Sequence, residues 1–352
     1  MTLLAERWPR LAAIPHLSLG GFPTAIEHAT KLSSVAGCDV WVKRDDRCGT
    51  VYGGNKVRKL EFLLAQAKSE GADTIITTGA IGSHHVLATG LYGRMHGFDV
   101  HAVMMPQPTN PHVEENARAD LGAGVTLHPI STYGLLPTAM AALAARLKLQ
   151  RRRLFVIGPG GSDASGVLGW IEGGLEIGQQ LARGEAREID AVYVPLGSGG
   201  TAAGLAIGLA AAGVMAEVVG VRVTPRHLLR KGMLATLSRG LVQRIRTLDD
   251  RFPGVTDTAM KNLVFEEAFL GEGYGIPTGA GREATREAAE THGLELDPSY
   301  TAKAMAALLQ HARSKRRGQR VLFVHTLNST PIDALASKAP ELPKRVASLL
   351  RT

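Results

Sequence analysis

The chain has 352 residues, 45% hydrophobic and 20% charged, with a formal net charge of +8; this is ordinary for a folded protein of about two units of 100–200 residues each, and no apolar run approaches the roughly 20 residues of a membrane span. The opening MTLLAERWPRLAAIPHLSLG is broken by Glu6, Arg7, Pro9 and Arg10, so it does not read as a signal peptide. Cys38 and Cys48, without a CxxC, exclude a disulfide framework or a cysteine zinc site and fit a reducing cytoplasm.

The excess positive charge is densest in RRRLF (151–155) and RSKRRGQR (313–320), each leading into an apolar strand-like run. No aromatic residues are interleaved to stack on bases. These runs read as solvated loop charge, and no nucleic-acid partner is expected.

In chain order, VYGGNKVRKLEF (51–62) comes first. Gly53 and Gly54 read as a flexible pair, followed by Asn55 and Lys56 at the head of a helical pattern. Val57, Leu60, Leu63, Leu64 and Ala67 form its buried stripe, and Arg58, Lys59 and Glu61 fit its exposed side. Then DTIITTG reads as a strand, SHHVLATGLYGRMHG as a helix and DVHAVMM as a strand, followed by the strand-like VTLHPI and RLFVIGPGG. A break is expected near GPGGSDASG (158–166), before the helix VLGWIEGGLEIGQQL. IDAVYVPLGSGG, the helix TAAGLAIGLAAAG, the strand AEVVGVRV and a final RVLFVHT complete the pattern. Apolar strands alternating with helices of this length indicate an α/β fold with parallel sheets covered by helices. Periodicity alone leaves open whether there are one or two sheets.

Several segments carry candidate chemistry. In YVPLGSGGTAAGL (193–205) a buried strand ends, a glycine-rich turn follows and a helix starts at Thr201. Glycines allow close approach of the backbone, and the free N–H groups of a helix start attract an anion. With the hydroxyls of Ser198 and Thr201, Gly197, Gly199 and Gly200 therefore read as a phosphate cradle, the alternative being a tight turn with no ligand. Gly197, Gly199 and Ala202 also satisfy the G-x-G-x-x-G/A spacing of dinucleotide folds. The next strand ends with Arg222 and Thr224 instead of an acid, which weakens a nicotinamide reading but leaves NADP open. In GSHH (82–85), neighbouring histidines on a helix point about 100° apart and make a poor metal pair. Ser83 instead reads as a helix cap able to hold a carboxylate, or as a plain cap. Tyr274 lies in the loop-like GEGYGIPTG and Tyr300 in LDPSYTAKAMAALL, at a helix start; each hydroxyl is a candidate acid, base or donor. A phosphate cradle with a separate lysine suits pyridoxal phosphate, which needs a phosphate anchor, a Schiff-base lysine and a partner for its ring nitrogen.

Together these segments resemble the tryptophan-synthase-β-like pyridoxal-phosphate enzymes (fold type II), in the branch of D-cysteine desulfhydrase and 1-aminocyclopropane-1-carboxylate (ACC) deaminase. The resemblance runs through FPTAIEHATKL, VWVKRDDRCG, YGGNKVRKLEFLLAQA, PGGSDASGVLGWIEGGLEI, VPLGSGGTAAGL, GYGIPT, LDPSYTAKAM and LFVHT in the family's order. It implies two open, twisted, mainly parallel sheets, with a small domain at 57–165 inserted into a large cofactor domain at 1–56 and 166–352. It further implies that Lys56 forms the Schiff base and moves the substrate's α-proton, with Asn55 beside it at the cofactor. Gly197 to Thr201 would hold the phosphate, Ser83 the substrate carboxylate, and Tyr274 and Tyr300 would face the substrate. A homodimer acting on a small amino acid is implied as well.

Within the branch, ACC deaminases carry an acid directly after the second tyrosine, whereas this chain has Thr301, and Thr326 in VLFVHTLNST. Neutral hydroxyls leave the ring a weaker electron sink, adequate for β-elimination of a good leaving group. D-Cysteine desulfhydration is therefore expected, with ACC deamination, an NADP oxidoreductase and a catalytically weak cofactor-binding relative as alternatives. Two departures stand out: His84 replaces an asparagine near the cofactor's phenolic oxygen, and Leu327 and Asn328 replace two small residues after HT.

Overall fold

A strand covered by helices on both faces is shielded from water along its whole length, and the central strands obey this. In the computed structural model, which describes residues 1–109 and 111–351, all seven residues of β3 (Thr74–Ala80) and all six of β7 (Ala191–Leu196) are buried. The other strands are β1 (Ile26–His28), β2 (Asp39–Lys43), β4 (Asp99–Met105), β5 (Thr126–Pro129), β6 (Leu154–Val156), β8 (Glu217–Arg222), β9 (Leu263–Glu266) and β10 (Arg320–Val324).

They form two sheets, one of six strands in the order β1-β2-β10-β7-β8-β9 and one of four in the order β5-β4-β3-β6. Every neighbouring pair is parallel except β1 with β2. The four-stranded sheet thus draws its strands from the stretch between β2 and β7. Its core is also closed by distant residues: Ile332, Ala336, Val346 and Leu349 pack with Val57, Leu60, Val86 and Val113. No helix among the described residues is long and apolar enough to cross a membrane.

Open parallel sheets bind ligands beyond the carboxyl ends of their strands. Here the turn after β7 leads to Gly197, the chain after β10 reaches Thr326, and Ser83 follows β3. The loop after β2 leads to Lys56, the first residue of helix Lys56–Ser69.

That helix corrects one expectation. Arg58, Lys59 and Glu61 do not face solvent, being only 2%, 1% and 5% exposed. The helix lies between the core of the four-stranded sheet and helix Ala164–Ala182, so no side of its first turns is left open. Charges survive such burial only with partners. Arg58 binds Asp45 (Nε–Oδ2 2.6 Å) and Glu176 (Nη2–Oε1 2.8 Å), while Lys43 reaches the same Glu176 oxygen at 2.5 Å. Glu61 accepts the N–H groups of Leu19 and Gly20 at 2.9 and 3.2 Å. The two basic runs are also more structured than solvated loops. Arg152 meets Asp99 at 3.1 Å, Arg313 meets Glu287 at 2.5 Å and Arg320 meets Asp190 at 3.2 Å.

Candidate functional site

The Lys56 loop is held by the segment after β10. Asn55 N–H donates to the Thr326 carbonyl at 3.1 Å, and Gly53 N–H donates to Asn328 Oδ1 at 2.6 Å. Gly54 has φ +83°, and a Cβ there would sit 2.6 Å from the Thr326 oxygen. The glycine pair is therefore a site of close backbone approach, not the flexible pair expected. Asn328 fastens this loop with its side chain, which accounts for one half of the departure at Leu327 and Asn328. Leu327 beside it is 9% exposed.

Lys56 is half-buried, and burial of its amine pulls the ammonium down to about 8 against the opposing pull of Asp297. An amine with that value is partly free base near neutral pH, as a nucleophile and proton acceptor must be. Asn55 does not cap the helix with its side chain; its Nδ2 donates to Thr201 Oγ1 at 3.1 Å.

The glycine turn after β7 opens helix Gly200–Ala211, with Gly199 at φ +88° and no side-chain cap. The first N–H groups of any helix have no acceptor within it, and here they are left for a ligand. Ser198 Oγ lies 2.7 Å from Ser162 Oγ, and Lys59 Nζ donates to that same Ser162 oxygen at 2.8 Å and to the Gly160 carbonyl at 2.9 Å. A Cβ on Gly200 would come within 2.5 Å of Ser162 Oγ. Lys59 and Ser162 thus wall the cradle from the side opposite its helix. Sequence reasoning missed both, although Lys59 stands three residues after Lys56, on the same helix face.

Tyr274 and Tyr300 meet through their hydroxyls at 2.7 Å, with their rings edge to face at 79°. Burial pushes Tyr274 up to about 12 and Tyr300 well above its ordinary value. Both are therefore protonated donors at neutral pH. A Cβ on Gly197 would touch the Tyr300 ring at 3.4 Å, so the tyrosine pair adjoins the cradle.

Ser83 caps helix His84–Met95, its Oγ accepting Val86 N–H at 3.5 Å. His84 has both ring nitrogens engaged, Nδ1 with Tyr52 Oη at 2.6 Å and Nε2 with His112 Nε2 at 3.0 Å. To bond a cofactor oxygen it must give up one of these. His85 turns elsewhere, to Thr77 Oγ1 at 3.2 Å, and no group of three metal-binding side chains occurs among the described residues.

Thr301 is fully buried, and its hydroxyl donates to Asp297 Oδ2 at 2.6 Å. The Asp297 carboxylate also accepts the N–H groups of Ser299, Tyr300 and Thr301. Of the two threonines expected at the ring nitrogen, Thr301 is thus turned to its own helix start, whereas half-buried Thr326 lies beside Asn55. Asp297, unremarked in the sequence, acts electrostatically on Lys56, His84 and both tyrosines. Arg222, the residue that kept NADP open, is 2% exposed and bound to Glu267 and the Leu229 carbonyl.

A buried, near-neutral amine beside a glycine cradle backed by a second lysine suits a phosphorylated aldehyde, and the donor set fits pyridoxal phosphate. The comparisons agree. The family of pyridoxal-phosphate dependent enzymes matches residues 17–326. Curated proteins named D-cysteine desulfhydrase from Salmonella choleraesuis (strain SC-B67) and Salmonella paratyphi C are each 36% identical over 325 residues, covering 90% of this chain and 94% of theirs. A crystal structure described as an ACC deaminase homologue is 30% identical with a TM-score of 0.77, covering 97% of this chain and 98% of that one. Threonine deaminase isoform 2 from Solanum lycopersicum shares the fold at 18% identity and a TM-score of 0.58, covering 98% of this chain and 88% of that one. The chain belongs to the pyridoxal-phosphate dependent enzymes.

Proposed function

We propose that this enzyme is a lyase that eliminates the β substituent of a small amino acid, with D-cysteine as substrate and pyruvate, ammonia and sulfide as products. The observation that carries the reading is the Lys56 amine, held by burial to about 8, next to Asn55, which reaches Thr201 of a phosphate cradle that a pair of protonated tyrosines adjoins. It occurs in a chain 36% identical over 90% of its length to proteins named D-cysteine desulfhydrase.

When bound, the cofactor supplies an electron sink for the pair left by a broken Cα–H bond. Lys56 Nζ holds the cofactor and then takes the α-proton. Ser83 and the first N–H groups of its helix hold the substrate carboxylate. Tyr274 and Tyr300, both half-buried, hold a proton at the leaving group. Gly197, Ser198, Gly199, Gly200 and Thr201 bind the phosphate, with Lys59 behind them; Asn55 and Thr326 border the cofactor. The Asp297 carboxylate is engaged by three N–H groups and the Thr301 hydroxyl. It is therefore no free acid for the ring nitrogen, which favours elimination over cyclopropane opening.

The same reading divides the chain into a small unit at 57–165 and a larger one made of the flanking stretches. It also includes a homodimer and a cytoplasmic location, the latter supported by two free, buried cysteines. ACC deaminase is the second reading, favoured by the likeness, at 30% identity, to the crystal structure of an ACC deaminase homologue.

The deciding experiment loads the protein with pyridoxal phosphate and offers D-cysteine, L-cysteine, D-serine and ACC, reading keto acid and sulfide. Sulfide from D-cysteine, and loss of the visible cofactor band in Lys56→Ala, are expected. Faster release of keto acid from ACC than from D-cysteine overturns the desulfhydrase reading in favour of the second.

A further inference from the structure

Two neighbouring strand ends meet at the turn that carries Ser83, and the lyase reading uses only one of them. β3 and β4 run parallel with Ala80 opposite Met105, and Ile81 N–H donates to the Met105 carbonyl at 2.9 Å. Two residues beyond that register stand Gly82 on one side and Gln107 on the other. Both lie at the carboxyl ends of the strands, where open parallel sheets take their ligands.

Gln107 is only 6% exposed, yet its side chain is not spent on the protein. Its Oε1 is buried and has no hydrogen-bond partner among the described residues. A buried amide oxygen without a donor is destabilising, which leaves it to a donor carried by a ligand. Gly82 makes room for the other end of the amide, since a Cβ there would lie 2.9 Å from Gln107 Nε2. Nε2 therefore fills the space of a side chain at position 82, one residue ahead of Ser83 and the free N–H groups of helix His84–Met95. The Gly82 backbone is itself held, its carbonyl accepting from Asn116 Nδ2 of helix Pro111–Gly122 at 3.3 Å. Pro108, the next residue after Gln107, meets the tyrosine loop. A Cβ on Gly275, which follows Tyr274, would lie 3.5 Å from Pro108 Cδ. Gln107 and Pro108 thus connect the Ser83 turn with the Tyr274 loop, the two segments between which the substrate is read to lie.

The chemistry of the amide selects what it can bind. It offers a donor and an acceptor side by side. An α-amino acid presents the complementary pair on one carbon, a carboxylate that accepts and an amino group that donates. The Nε2 end stands beside the turn that holds the carboxylate, which leaves Oε1 for the amino group.

We propose that Gln107 is a substrate-binding residue that clasps the α-amino acid head, Nε2 donating to the carboxylate beside Ser83 and Oε1 accepting from the amino group. The proposal rests on the lyase reading, which places the carboxylate at Ser83, and adds to it a contact indifferent to the β substituent. The bond to Oε1 is made while the amino group is free and is given up when that group joins the cofactor. Gln107 therefore acts in capturing the substrate, not in breaking its bonds.

The test uses two variants of the enzyme loaded with pyridoxal phosphate. Gln107→Met keeps a long unbranched side chain and removes both hydrogen-bonding groups, whereas Gln107→Glu keeps an acceptor and sets a second one against the carboxylate. D- and L-alanine, which carry the same head and no leaving group, are titrated while the visible cofactor band is followed. For the enantiomer that moves the wild-type band, both variants should bind about tenfold more weakly or worse, the scale of a hydrogen bond to a charged group. KM for D-cysteine should rise in step, with kcat within about twofold of wild type. Cofactor affinity equal to wild type shows that the fold is kept, and a variant that meets this control carries the test if the other does not. Alanine affinity equal to wild type in such a variant, or a fall in kcat at unchanged KM, overturns the proposal. A wild-type band that neither enantiomer moves overturns it as well. Release of sulfide from D-cysteine with alanine affinity unchanged in Gln107→Met defeats this inference alone. No sulfide from wild type, with alanine binding weakened in Gln107→Met, defeats the lyase reading alone.

Discussion

Replacing Asp297 by Asn keeps the shape of the side chain and removes its charge, which separates two of its effects. The carboxylate accepts three backbone N–H groups and the Thr301 hydroxyl. An amide offers one acceptor where there were two, so Asp297→Asn should lower stability by about 1–3 kcal/mol in urea denaturation. The same charge is what pulls Lys56 up against burial. Without it the Lys56 ammonium falls further below about 8, and the acidic limb of the kcat–pH profile should move to lower pH; an unmoved limb would show that Lys56 does not set it. Lys56 also leaves a mark on stability. Its folded value of about 8 lies below the ordinary 10.5, so unfolding takes up a proton between these values and the cofactor-free protein should become more stable as pH rises through that window. Lys56→Met should flatten the rise. Tyr274 stood out in the sequence because glycine and proline around it forbid regular structure, and Lys56 and Tyr300 because each stands at the start of a helical pattern. Asp297 did not, because an aspartate just ahead of a helix reads as an ordinary cap. Its long reach depends on which distant side chains it faces.

At the scale of elements, the strands and the glycine turn were legible because parallel sheets impose continuous apolar runs and because a helix start after glycines has few alternatives. The exposure of helix Lys56–Ser69 was not. Its apolar stripe satisfied one face, and nothing local said that Asp45 and Glu176 would meet Arg58 on another. The same face-counting missed Lys59. Lys59→Met removes the amine behind the cradle and its hydrogen bonds to Gly160 and Ser162 while keeping the buried stem, so binding of pyridoxal phosphate should weaken by about tenfold, which is 1.4 kcal/mol. A fluorescence titration reads this, and unchanged affinity would make Lys59 purely structural. Helix Gly200–Ala211 packs on helix Ala164–Ala182 through glycine contacts. A Cβ on Gly204 would lie 2.6 Å from Trp170 Cβ, and one on Gly208 would run into the Ile171 carbonyl oxygen. Gly208→Ala should therefore push the helices apart and destabilise by about 1–3 kcal/mol, with cofactor affinity falling as the cradle shifts.

The order of strands in the whole molecule depends on pairings such as Arg320 with Asp39 and Val321 with Ala191. Strand periodicity is blind to these, so two sheets followed from resemblance and not from pattern. The closing segment is the least legible part. Residues after β10 leave the six-stranded sheet, fasten the Lys56 loop through Asn328 and then cover the core of the other sheet. Gly122 approaches the Leu335 carbonyl too closely for any side chain, and Ile332 and Ala336 are each 8% exposed. A chain ending at Pro331 would uncover this core beside helix Pro111–Gly122, the helix that holds His112 and Asn116. Burying one large aliphatic side chain contributes about 1.5–3 kcal/mol, and Ile332, Val346 and Leu349 would all be lost. The truncated chain should therefore denature at clearly lower urea concentration. Proteolysis should begin in helix Pro111–Gly122 before it reaches the six-stranded sheet. Because Asn328 and Thr326 remain, the Lys56 loop keeps its fastening, so whatever still folds should capture pyridoxal phosphate. Loss of cofactor binding without loss of stability would show that the closing segment acts on the site directly, not through the core it covers.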